Sequence, residues 1–188
     1  MSYGLTETGS AVAYDGRPLA GVEVRVDGGG PAEATAGGEI LIRGPMLLRA
    51  YRGDTPEGRD PRDGDGWFAT GDQGSLDATG RLVVHGRRGD LIITGGQNVW
   101  PLPVERALAT HPDIADLAGM GTPDPNWGEV VTGDVVPTDR TRPPSLDALR
   151  DHGRGGLAPY ALPRTLVLCD SLPRTTLGKL DRTRLPRP

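Results

Sequence analysis

The chain has 188 residues, a net charge of −4 with both signs spread along it, and a single cysteine. That length serves one medium domain or two small ones and buries a core without cross-links, while one cysteine excludes an intrachain disulfide. No basic block points to nucleic acid, the longest apolar runs (LIIT, TLVLC) are too short to span a bilayer, and MSYGLTETGS has neither the basic nor the apolar region of a signal peptide, so a cytoplasmic, soluble protein is expected.

Glycine and proline, 29 and 18 residues, make up a quarter of the chain and punctuate short apolar runs, which reads as turns in a loop-rich fold. Residues 22–26 (VEVRV) alternate with period two. Residues 39–42 lead into Arg43-Gly44-Pro45, a strand ending in a turn. The charged stretch 52–66 reads as an exposed loop. Residues 67–70 form a strand that stops at Gly71-Asp72, and 81–85 (RLVVH) follow the hairpin turn Asp77-Ala78-Thr79-Gly80. These strands predict a small antiparallel β-barrel or sandwich over residues 1–88.

From residue 90 the texture changes. Residues 91–94 are a strand, and 103–111 (PVERALATH) have a proline start and apolar residues at helical spacing. Residues 116–121 and 130–136 are strands, 146–152 a short helix capped by Ser145, and 165–169 a last strand. Alternating strands and helices predict a small, mobile α+β domain over 89–188, so the fold class expected is α+β. The joint is 86–90 (GRRGD). Cys169, in Leu-Val-Leu-Cys, reads as a buried strand thiol with nothing nearby to lower its pKa.

Five short segments carry possible chemistry, and each has a plainer alternative. Lys179 follows Gly178 on a segment with Pro173 and two threonines, which reads as mobile. Its ammonium suits negative charge building on a phosphate, and a surface lysine in a basic tail is the alternative. In Tyr3-Gly4-Leu5-Thr6-Glu7, the Thr6 hydroxyl can hold a phosphate oxygen and the Glu7 carboxylate Mg2+; alternatively Thr6 or Thr8 caps a helix. Asp72, just after a strand and a glycine, can accept both hydroxyls of a ribose or can be an ordinary Asp turn. Arg87 brings a guanidinium to the joint, where it could equally be a linker charge. Gly95-Gly96 is a close-approach loop or a hairpin turn.

The order of the segments is more telling than any one of them. YGLTE, GEILIRGP with a following tyrosine, WFATGD, GRRGDLIITGGQNVWPLPVE and LPRTTLGKLDR run in one order along the chain. In this it resembles the C-terminal portion of the adenylate-forming superfamily of acyl-CoA synthetases, peptide-synthetase adenylation domains and luciferases. The stretch Tyr14-Asp15-Gly16-Arg17-Pro18-Leu19 and the segment DLIITGGQNVWP are similar to o-succinylbenzoate–CoA ligases of menaquinone biosynthesis.

The resemblance implies an AMP-forming acid–thiol ligase acting on a small carboxylic acid, ATP and CoA, with Mg2+ as cofactor. Residues 1–88 would be the end of the large adenylate-forming domain and 89–188 its small AMP-binding domain. Carried over, Lys179, Thr6 and Glu7 are catalytic and Glu7 holds the metal. Tyr3, Gly4, Thr6, Asp72, Arg87 and Lys179 contact ATP or AMP, and Gly95 and Gly96 line the CoA channel. The small domain would rotate about 86–90 between half-reactions.

The chain departs from the family at Gly89, where relatives commonly carry Asp or Lys, and at Ala161, where they often carry lysine. The family's phosphate-binding loop is absent from it and would lie before Met1. The expectation is therefore a portion that is incomplete without an N-terminal part, with a partner chain or self-association to cover the missing contacts. A truncated binding or regulatory homologue, or a partial enzyme doing only the thioester step, are the other readings. The chain alone is expected to release no pyrophosphate from ATP and an acid; robust release would overturn that.

Overall fold

A computed structural model describes residues 2–28, 37–52 and 59–186. Part of the loop expected at 52–66 thus lies outside the described residues. The chain forms two compact units, Met1–Arg88 and Gly89–Pro188.

The first unit holds two antiparallel sheets. β1 (Ser2–Gly4), β2 (Ala11–Tyr14) and β3 (Arg17–Pro18) pair in that order. β4 (Glu23–Asp27), β5 (Gly38–Arg43), β6 (Phe68–Leu76) and β7 (Leu82–Arg87) form the second sheet, also in chain order. Alternation explains β4: Val24 and Val26 turn inward while Glu23, Arg25 and Asp27 face water. Val12, Ile40, Ile42, Leu47, Phe68 and Leu82 build the shared core. The two sheets are tied where the Leu82 amide donates to the Gly16 carbonyl at 2.8 Å. A Cβ at Gly16 would sit 2.7 Å from the Leu82 oxygen, and φ there is 75°, so only glycine fits. Among the described residues β4 and β7 stay unpaired edges, so of the two expected forms the structure is the sandwich and not a closed barrel.

In the second unit, β8 (Ile92–Thr94) and β9 (Gln97–Val99) form a hairpin, followed by α1 (Pro101–Leu108). β10 (Ile114–Asp124) and β11 (Gly128–Pro137) are long antiparallel partners, longer at both ends than their apolar stretches. α2 (Leu146–Gly153) starts at Ser145, whose Oγ accepts from the Ala148 amide at 3.2 Å. It crosses to β12 (Thr165–Leu168), which runs parallel to β11. α1 and α2 bury Val104, Leu108 and Leu149 on one sheet face, with Ile92, Leu117, Val131 and Val135. Leu172, Leu180 and Leu185 cover the other face over Ala118, Met120 and Val136. Both units mix sheets with few helices, the α+β class. No helix among the described residues is long and apolar enough to cross a membrane.

Cys169 lies just past β12 and is half-buried, a correction to the buried strand thiol. Burial, then the Asp134 and Asp170 carboxylates, push its thiol up, away from the reactive range.

Asp134 sits opposite Ala118 in the β10–β11 ladder, hence on the face covered by the C-terminal leucines. It is fully buried and neither carboxylate oxygen has a hydrogen-bond partner among the described residues. Burial pushes its carboxyl up to about 6 from 3.8. Between those two values the folded chain binds the proton and the unfolded chain does not, so stability falls as pH rises through 6. Urea unfolding should lose about 2–3 kcal/mol from this group between pH 4 and pH 7, and Asp134→Asn should flatten that slope.

Candidate active site

Asp72 lies inside a strand, not after one. The β5–β6 register shifts between Glu39 and Leu41, which face Gln73 and Ala69, so β6 carries a bulge around Gly71. Gly71, with φ of 73°, supplies the left-handed residue the bulge needs, and its amide donates to Glu39 Oε1 at 3.2 Å. Thr70 locks the bulge from within: its hydroxyl donates to the Ile40 carbonyl at 2.8 Å and accepts from the Asp72 amide at 3.1 Å.

The bulge turns the Asp72 carboxylate inward, where its side chain is 10% exposed. Arg87 Nε pairs with Oδ1 at 2.8 Å and the Tyr3 hydroxyl donates to Oδ2 at 2.7 Å. Arg87 Nη1 also donates to the Thr70 carbonyl at 2.9 Å, so one guanidinium clamps both sides of the bulge. Burial, more than the hydrogen bonds around it, pushes the Tyr3 phenol far up, and it stays a donor at any physiological pH. Each Asp72 oxygen accepts one bond, which leaves lone pairs on both.

A cleft of about 430 Å³ opens beside this network, lined among others by Glu7, Glu39, Tyr51, Thr70, Gly71 and Arg87. Glu7 stands in the 3-10 turn Thr6–Thr8 that follows β1. Of the two threonines, Thr8 does the structural work: it is buried, its Oγ1 accepts from the Leu5 amide at 3.0 Å, and its hydroxyl reaches the Leu5 and Ser10 carbonyls at 2.9 and 2.7 Å. Thr6 is exposed, with no side-chain hydrogen bond among the described residues. Gly4 is required by packing, since a Cβ there would lie 2.4 Å from the Ser10 oxygen. Glu7 Oε1 accepts from the Tyr51 hydroxyl at 2.8 Å, and Oε2 has no such partner among the described residues. No group of three or more His, Cys, Asp or Glu side chains that could hold a metal occurs among the described residues. A single free carboxylate oxygen fits Mg2+ of the kind carried largely by substrate phosphates.

In the second unit, Lys179 sits on a built hairpin rather than a mobile tail, contrary to the expectation. The Thr175 amide donates to the Lys179 carbonyl at 2.7 Å and the Gly178 amide to the Thr175 carbonyl at 2.9 Å, with Gly178 at φ of 79°. Arg174 anchors the hairpin to β10 through Asp116 and donates to the Gly178 carbonyl at 3.1 Å. The Lys179 side chain is exposed, and its ammonium has no partner among the described residues.

Gly95 and Gly96, with φ of 55° and 76°, make the β8–β9 turn. Gly95 packs against Trp127, where a Cβ would lie 2.6 Å from the ring, and its amide donates to the Trp127 carbonyl at 2.9 Å. Arg164 stacks over that ring at 3.9 Å. Ala161 is packed in the core, so the position where relatives often carry a lysine presents no charge here.

The structure thus brings Tyr3, Asp72 and Arg87 into one network and sets Glu7 on the same cleft; Lys179 and the Gly95-Gly96 turn stand on separate elements of the other unit. Sequence reasoning gave Thr70, Glu39, Tyr51 and Trp127 no role. Thr70 stands in the same motif as Asp72, but the apparent stop at Gly71 hid that both lie on one strand.

Residues 103–179 match the AMP-binding enzyme C-terminal domain family. With the motifs before residue 103, the match makes the chain similar to the C-terminal portion of the adenylate-forming superfamily. It is 43% identical over 99% of its length to a probable 2-succinylbenzoate–CoA ligase of Mycobacterium tuberculosis, of which it covers 46%. It is 40% identical over 96% of its length to an indoleacetate–CoA ligase of Aromatoleum aromaticum, of which it covers 38%. Among solved structures, o-succinylbenzoate CoA synthetase from Bacillus subtilis in complex with its acyl-adenylate intermediate matches with a TM-score of 0.83 and 34% identity, over 97% of this chain and 40% of that one. The chain therefore spans less than half the length of these relatives.

Tyr3→Phe removes one hydrogen bond to the Asp72 carboxylate without changing the ring. Urea unfolding should show a loss of about 1.5–3 kcal/mol, the range for a hydrogen bond to a charged group; an unchanged midpoint would mean that the bond contributes nothing.

Proposed function

We propose that this chain is the C-terminal portion of an AMP-forming acid–CoA ligase whose acid is o-succinylbenzoate. The observation that carries the reading is the buried Asp72 carboxylate, held by Tyr3 and Arg87 beside a cleft that also presents Glu7. The similarity to 2-succinylbenzoate–CoA ligases along nearly the whole chain supports the choice of acid.

The reaction runs in two halves. The acid carboxylate attacks the α-phosphorus of ATP, pyrophosphate leaves, and acyl-AMP forms. The CoA thiol then attacks the acyl carbon, and AMP leaves. Asp72, with a lone pair left on each oxygen, accepts the two vicinal ribose hydroxyls. Arg87 keeps it oriented, and Tyr3 and Gly4 border the nucleotide. The exposed Thr6 hydroxyl donates to a phosphate oxygen. Glu7 holds Mg2+, which offsets the phosphate charge.

Lys179 acts in the first half only. A compact ammonium on a short hairpin can donate to the acid carboxylate and the α-phosphate oxygens together, where negative charge builds in the transition state. For the second half, the unit beyond the 86–90 joint swings Lys179 away and brings the Gly95-Gly96 turn to the pantetheine path. In relatives of this size the missing contacts belong to an N-terminal portion, and the full reaction requires it.

In a ligase completed by that portion, Lys179→Ala should lower pyrophosphate release by about 10²- to 10³-fold, the cost of one transition-state donor. Thioester formation from preformed acyl-AMP should stay within about two-fold of the parent. Equal loss of both steps would contradict the division of labour.

A further inference from the structure

Glu7 is gripped at both ends by one segment. The Leu48 amide donates to the Glu7 carbonyl at 2.8 Å, and three residues on the Tyr51 hydroxyl donates to Glu7 Oε1, also at 2.8 Å. Tyr51 is itself fixed, because it exchanges both backbone hydrogen bonds with Arg59, at 2.8 and 2.9 Å. Tyr51 and Glu7 line the same cleft as Gly71 and Arg87.

This arrangement constrains how the carboxylate can meet a cation. A free carboxylate offers one or both oxygens. Oε1 already accepts from a phenol, so a cation there would compete with the Tyr51 hydroxyl for electron density, and one-point ligation through Oε2 is favoured over two-point. Mg2+ takes carboxylates that way, in a small octahedral shell filled by phosphates and water; Ca2+ accepts two-point ligation in a larger, looser shell.

We infer that Tyr51 is a positioning residue for Glu7: its hydroxyl favours one-point ligation by the carboxylate and so biases the bound nucleotide toward Mg2+ over Ca2+. The inference rests on the reading of Glu7 as the metal ligand. It concerns a side chain that acts through Glu7 and touches neither metal nor nucleotide.

The test measures metal binding directly, on this chain together with the N-terminal portion of its ligase and with a non-hydrolysable ATP analogue bound. Mn2+ is titrated by electron paramagnetic resonance, then displaced with Mg2+ or Ca2+. Tyr51→Phe should weaken Mn2+ and Mg2+ about 3- to 10-fold, the worth of one such hydrogen bond, and should weaken Ca2+ less, narrowing the Mg2+/Ca2+ ratio. In a Glu7→Gln background the same substitution should change nothing further.

If Glu7→Gln weakens the metal while Tyr51→Phe leaves both affinity and ratio unchanged, the positioning role is wrong and the reading of Glu7 stands. Equal weakening by Tyr51→Phe with and without the Glu7 carboxylate also overturns it. If Glu7→Gln itself leaves binding unchanged, the metal reading of Glu7 falls, and the inference with it.

Discussion

Much of the first unit converges on one buried carboxylate. Asp72 is only 7% exposed, and an unpaired charge there would cost several kcal/mol. The chain meets that cost with Arg87 on one oxygen and Tyr3 on the other, and these partners come from different sheets: Tyr3 from β1, Arg87 from β7. The Tyr3–Asp72 hydrogen bond therefore also ties the two sheets together. Arg87 is 58% exposed, so much of its attraction is screened. What it secures is orientation more than stability. The bulge at Gly71, the Thr70 hydroxyl and the Glu39 acceptor all serve the same end, aiming one carboxylate from the middle of a strand.

The second unit solves a different problem, how to present one ammonium on a firm support. Lys179 is the only lysine among the chain's 21 cationic residues. Arginine serves the side-chain ion pairs among the described residues, as in Arg174–Asp116, and Arg182 reaches Asp90, Glu105 and the Gly119 carbonyl together. Planar, forked guanidinium suits such multi-point anchoring, whereas a compact point charge suits a site where charge develops. The same C-terminal segment that carries Lys179 also seals the sheet face holding Asp134, through Leu172, Leu180 and Leu185.

Period two made β4 legible, the Arg43-Gly44-Pro45 turn marked the end of β5, and the Asp77–Gly80 turn named the hairpin before β7. Residues 71–76 were not legible as strand, because a glycine at the end of an apolar run reads as a stop. Only the partner strand shows that Gly71 bulges and β6 resumes. Lys179 was found by motif order, yet its support was misread for a similar reason. The anchor between Arg174 and Asp116 spans 58 residues of sequence and leaves no local trace. The choice of sandwich over barrel is likewise a matter of which edges stay unpaired, and Cys169 lost its expected burial by lying one residue beyond its strand. Local alternation and ordered motifs could be read directly; bulges, anchors and closure are set by residues distant in the chain.

The account turns on Asp72 as the nucleotide's ribose acceptor. The most direct measurement is o-succinylbenzoate-dependent ATP–pyrophosphate exchange, on this chain completed by its N-terminal portion, with and without Asp72→Ala. The account predicts exchange that requires the acid and an ATP half-saturation raised at least about ten-fold by Asp72→Ala, the loss of two hydrogen bonds to a charged group. Exchange that proceeds without the acid, or with ATP half-saturation unchanged in Asp72→Ala, would contradict it.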